Sequence, residues 1–146
     1  MKNLTILLFG LAVISFAGFK YLKISNEPWT SSQLMEPSDL AKQLADGNKN
    51  KIIIFSIGPS GTIKGAIDIG AAHESGNLEK LRSELKKLPN NTNVVIYCGC
   101  CPYNHCPNIR PAFKLLNEMK FVKGKLLNLP NNLKADWIDK GYPMSE

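Results

Sequence analysis

Val94-Val95-Ile96-Tyr97-Cys98-Gly99-Cys100-Cys101-Pro102-Tyr103-Asn104-His105-Cys106-Pro107-Asn108-Ile109-Arg110 runs from an uninterrupted apolar stretch into a segment with helical spacing of apolar residues. A β-branched and aromatic run of this kind reads as a buried strand. Residues 109–119 read as the helix that follows it. All 4 cysteines of the chain fall in the connection, with one of its 2 histidines. The loop between a strand's carboxyl end and a helix's start is where open α/β sheets bind ligands. Any chemistry this chain performs is expected there.

Outward from that stretch the chain alternates. Pro37 and Ser38 open a short helix with Leu40, Ala41 and Leu44 on one face, ended by Gly47. Residues 51–57 form a continuous apolar strand of the parallel-sheet type. A Gly58-Pro59-Ser60-Gly61 turn leads into a short second strand over 63–69. Asn77 is expected to cap a helix through Leu88, with Leu78, Leu81, Leu85 and Leu88 as its apolar stripe. After the cysteine loop and its helix come a strand over 125–129 and a helix over 133–140, closed by Gly141. Alternating strands and helices predict a single α/β domain: a mainly parallel sheet with helices on both faces. Trp29 and Trp137 read as core aromatics, and His73 as a surface or helix-start residue.

The first residues have a different character. An uncharged stretch rich in Leu, Ile, Phe and Ala runs from Asn3 to Phe19 between Lys2 and Lys20. Ser15 and Ala17 supply small residues for cleavage after Ala17, so residues 1–17 read as a signal peptide. The alternative is an uncleaved membrane anchor over 3–22, at the short end of the ~17–25 residues that span a bilayer. Residues 18–32 form a linker, and 33–146 the folded domain. No cysteine lies near residue 20, which excludes a lipoprotein. Both readings export the domain, as a periplasmic or secreted protein; the membrane is a partner only through an uncleaved N-terminal segment.

The full chain carries 18 basic and 12 acidic side chains, a net +6. Cleavage would remove only Lys2. Lys86, Lys87, Lys114, Lys120, Lys123 and Lys125 are scattered and not interleaved with aromatics. That pattern is a solvated basic surface, with no nucleic-acid partner expected.

The ordered pieces Ile63-Lys64-Gly65-Ala66-Ile67-Asp68-Ile69, Val94-Val95-Ile96-Tyr97-Cys98, Arg110 opening a helix, and Ala135-Asp136-Trp137 before Gly141-Tyr142-Pro143 resemble a rhodanese-like domain, over residues 30 to 144. The resemblance implies a five-stranded sheet. It also implies a nucleophilic cysteine after the central strand that carries sulfane sulfur as a persulfide, and an arginine at the loop's far end in the anion cradle. By position these are Cys98 and Arg110. This chain departs from the family pattern at several points. Eleven residues separate Cys98 from Arg110, where the family has four. Asn131-Asn132 stands in place of a glycine pair, and Ser56-Ile57 in place of an acid and an arginine.

Three readings of the loop stay open. In the first, Cys98 is a reactive thiol whose thiolate is stabilised by a helix N-terminus and Arg110. Its partners would be a small sulfur-containing substrate and a thiol acceptor, with Cys100, Cys101 or Cys106 resolving the persulfide or forming a disulfide with Cys98. In the second, disulfides staple a long loop in a non-catalytic module; four cysteines allow three pairings. In the third, Cys100, Cys101, His105 and Cys106, with Cys98, hold zinc or copper(I), although Cys-x-Cys-Cys lacks the spacing of a zinc knuckle; no cofactor is the leading expectation. Asn108 is expected to cap the helix, leaving Arg110 over the loop, facing the Cys98 thiolate or paired with Glu118 or Asp68.

Overall fold

The computed structural model describes residues 26–146; the leader or anchor read over 1–22 and most of the linker lie outside the described residues. Five strands form one sheet in the order β1-β5-β4-β2-β3, and every neighbouring pair is parallel. They are β1 (Leu34–Met35), β2 (Ile53–Ser56), β3 (Ile67–Asp68), β4 (Val94–Tyr97) and β5 (Gly124–Leu127). The helices are α1 (Pro37–Ala45), α2 (Ser75–Leu85), α3 (Ile109–Glu118) and α4 (Leu133–Asp136). The α/β fold with a parallel sheet expected from strand–helix alternation is the fold observed. Among the described residues no helix is long and apolar enough to cross a membrane.

The period-two geometry of β4 divides the core. Val94, Ile96 and Cys98 point to one side, among Leu81 and Leu85 of α2 and Ile109, Ala112, Phe113 and Leu116 of α3. Val95 and Tyr97 point to the other, among Leu40 and Ala41 of α1 and Leu133 of α4. Both faces of β4 are therefore covered, which is why its sequence is apolar without alternation. Both tryptophans are core residues, Trp29 on the first side and Trp137 on the second. The Tyr97 hydroxyl accepts from the Ile63 amide at 2.9 Å and donates to the Gly61 carbonyl at 3.1 Å. It ties the turn after β2 to the central strand.

Some boundaries differ from the sequence reading. The strand expected over 63–69 is only Ile67–Asp68; Ile63 instead makes an isolated antiparallel bridge to Met144. β1 is two residues long and too short to leave a periodic signature. Asn77 lies inside α2 rather than at its cap, and its amide donates to the Ala71 carbonyl and the Glu74 carboxylate. The last helix breaks at Trp137, with a 3-10 turn over Ile138–Lys140 ended by Gly141 at φ 71°.

Candidate functional site: a four-thiol loop at the end of the central strand

Cys98 follows β4 directly and is 1% exposed. Gly58, two residues beyond β2, comes close beside it: an added Cβ there would stand 2.2 Å from the Cys98 sulfur. Gly58 is needed there because the thiol occupies the space of its missing side chain. Gly99 has the same constraint on the other side: a Cβ would meet that of Leu133 at 2.3 Å. Its carbonyl accepts from the Leu133 amide at 2.9 Å, so the start of α4 clamps the loop. Further along, the Tyr103 amide donates to the Leu129 carbonyl at 3.1 Å and opens a 3-10 turn over Tyr103–His105. The long loop is thus held at its start and near its middle by backbone contacts.

The sulfurs cluster. Cys98 Sγ lies 3.2 Å from Cys100 Sγ, which lies 3.3 Å from Cys101 Sγ. The sulfurs of Cys98, Cys100 and Cys106 all fall within 4.8 Å of one another. Cys98 and Cys106 are buried, Cys101 is half-buried and Cys100 is exposed; all four carry free thiols. Of the metal-ligating candidates, the structure gathers Cys98, Cys100 and Cys106, while His105 stays outside that group on the exposed 3-10 turn. Tetrahedral zinc with bonds of about 2.3 Å sets sulfurs about 3.8 Å apart, so this trio has the dimensions of a soft-metal site.

Hydrogen bonding and burial set the protonation of this cluster. The Cys98 thiol is pushed well above its ordinary range, first by its hydrogen bond to Cys106 and then by burial. The Cys100 amide, the Asn108 side chain and the Cys100 thiol act in the opposite sense without prevailing. Burial also raises Cys100 and Cys101, each with help from the preceding thiol in the chain of sulfurs. At neutral pH Cys98, Cys100 and Cys101 rest as neutral thiols.

Arg110 has other partners. Its guanidinium donates to the Glu27 carboxylate at 2.5 Å and to the Asn104 carbonyl at 2.7 Å, and stands 5.8 Å over the Trp29 ring. Glu27 is the acid it pairs with, rather than Glu118 or Asp68, and no hydrogen bond among the described residues joins it to Cys98. The residue that does reach Cys98 is Asn108. It stands at the start of α3, but its side chain makes no cap bond. Instead its amide nitrogen donates to Cys98 Sγ at 3.3 Å, while its oxygen meets the His73 amide at 3.0 Å and the His73 ring Nδ1 at 2.7 Å. Asn108 is 2% exposed, so these bonds fix its orientation. His73 and Asn108 are far apart in sequence, and no local pattern joins them. The one signal was chemical: a buried-side asparagine next to a helix start has two groups to satisfy, and a cap uses only one.

Compared with known proteins, the chain matches no family model and no curated protein.

Proposed function

We propose that the chain is an exported rhodanese-like domain that takes sulfane sulfur onto Cys98 as a persulfide and delivers it to thiol chemistry. The observation that carries this is the position of Cys98: a buried sulfur directly at the carboxyl end of the central strand, with an amide donor aimed at it. The order and spacing of the sequence pieces around it support the family assignment, and the apolar leader supports export. With thiosulfate as donor, the Cys98 thiolate attacks the outer sulfur, the S–S bond breaks, and sulfite leaves with the bonding pair. The Cys98 proton is lost on attack, and the Asn108 amide then faces the sulfur that carried the charge. Arg110 serves by holding the loop through Glu27 and Asn104 rather than by touching the sulfur.

Mass spectrometry after incubation with thiosulfate tests the reading in a variant that cannot discharge the sulfur, Cys100→Ser/Cys106→Ser. The expected result is one added sulfur atom on Cys98, absent when Cys98→Ser is combined with those changes. An unmodified Cys98 overturns it. A second reading rests on the trio of sulfurs within 4.8 Å: a thiolate site for zinc or copper(I). Stoichiometric metal retained through gel filtration by the wild type, and lost in Cys106→Ser, would favour that reading.

A further inference from the structure

We propose that Cys100 resolves the Cys98 persulfide internally, so that the centre releases hydrosulfide and is left as a Cys98–Cys100 disulfide. The proposal rests on sulfur loading at Cys98 and specifies what happens to that sulfur afterwards. It also names the class of partner: a dithiol reductant that resets the disulfide, in place of an acceptor that takes the sulfur itself.

The geometry points to Cys100 among the three neighbours. Its sulfur is 3.2 Å from the Cys98 sulfur before any reaction, so attack needs little movement. It is exposed, whereas Cys98 is 1% exposed, so an outside thiol approaching Cys98 meets Cys100 first. Gly99 between them packs so closely on Leu133 and Ser60 that no side chain fits there, which fixes the backbone joining the two thiols. Cys106 also lies within the cluster, its sulfur within 4.8 Å of the Cys98 sulfur, but it is fully buried. Cys101 touches Cys100 rather than Cys98.

The step balances within the protein. The Cys100 thiolate attacks the inner sulfur of Cys98–S–SH, the Sγ–Sγ bond forms, and the bond to the outer sulfur breaks with its electron pair. The outer sulfur leaves as hydrosulfide. Two cysteine sulfurs are oxidised to a disulfide, and the sulfane sulfur is reduced to sulfide. No outside oxidant is needed, because the persulfide is the oxidant. A disulfide buried on one side and exposed at Cys100 is then open to attack at the Cys100 sulfur by an incoming thiolate.

The test is anaerobic incubation of the reduced protein with thiosulfate and no added thiol, following free sulfide, thiol count and mass. The wild type should release one sulfide per chain, lose two thiols, and retain no added sulfur. Cys100→Ser should retain the added sulfur on Cys98 and release sulfide slower by about tenfold or more. Cys106→Ser should still release one sulfide per chain and lose two thiols, though at a changed rate, because Cys106 is one of the groups that raise the Cys98 thiol. Sulfide release that survives Cys100→Ser and is lost in Cys106→Ser overturns the proposal in favour of the buried thiol. A persulfide that persists on wild-type Cys98 without sulfide release overturns it while leaving sulfur loading intact. Failure of Cys98 to load in Cys100→Ser/Cys106→Ser overturns the loading step and this proposal with it.

Discussion

Replacing Gly58 by alanine should disturb the thiol centre more than any other single methyl group added to the chain's turns. The new Cβ would stand 2.2 Å from Cys98 Sγ, 3.3 Å from its Cβ and 3.5 Å from its Cα, where ordinary contact begins at 3.4 Å. The methyl and the sulfur must part by about 1.2 Å, and two routes are open. β2 and β4 can separate, which strains a parallel pairing that runs register-perfect from Ile53–Val94 to Ser56–Tyr97. Alternatively Cys98 can rotate its sulfur, abandoning the Asn108 amide and the 3.2 Å contact with Cys100. Overpacking of this kind costs about 1–3 kcal/mol, or a fall of about 3–12 °C in Tm for a domain this size. Thermal unfolding followed by circular dichroism reads the first route, and the pH profile of Cys98 alkylation reads the second. Gly61→Ala is the control, because its Cβ would meet the flexible end of Met144 at 3.2 Å and otherwise only Leu133 Cδ2 at an ordinary 3.9 Å. If Gly58→Ala keeps both its Tm and the Cys98 profile of the wild type, the close approach of Gly58 to the thiol is wrong.

Arg110→Ala should loosen the loop and the segment around Trp29, costing about 1 kcal/mol through the half-exposed Glu27 pair, while the Cys98 alkylation profile stays put; a shifted profile would return Arg110 to the thiol. Tyr97→Phe removes a hydroxyl that serves two backbone groups and should cost about 1–3 kcal/mol in urea unfolding, and a cost near zero would refute its role in fixing the 58–63 turn. In the reduced, metal-free protein the raised Cys98 and Cys100 thiols bind protons more tightly than the unfolded chain does. Their stabilisation is therefore complete below the ordinary thiol value of 9.0 and is lost as pH rises above it. The urea midpoint should fall between about pH 8 and pH 10 in the wild type and fall less in Cys98→Ala; equal slopes would refute the assignment.

The fold was legible because its longest strands carry their burial in their composition. Residues 51–57 and 94–97 are apolar on both faces, which only a sheet covered on both sides accommodates. β1 was not legible: two residues, Leu34 and Met35, gain their strand character from pairing with Leu126 and Leu127, not from any pattern of their own. Of the site, the strand-end thiol and its cysteine neighbours could be read directly. Their relative distances could not, because three of them depend on how Gly99 and two prolines turn the loop. The direction of the Cys98 shift was also hidden. A helix start and an arginine suggest a stabilised thiolate, whereas the folded cluster supplies a hydrogen bond to Cys106 and burial, both acting the other way.

Of the side chains at the start of α3, Asn108 and not Arg110 reaches Cys98. Eleven residues separate Cys98 from Arg110, and the guanidinium stands away from the thiol, on Glu27 and over Trp29. Asn108 donates one hydrogen bond to the sulfur without bringing a charge. A neutral donor stabilises a sulfur anion less than a guanidinium does, so Cys98 rests as a thiol among thiols. A thiol so held reacts slowly with electrophiles in general, so the proposed persulfide chemistry calls for a neighbour already in contact. The Cys100 sulfur stands in that place at 3.2 Å, on the same loop that carries Arg110 away from Cys98.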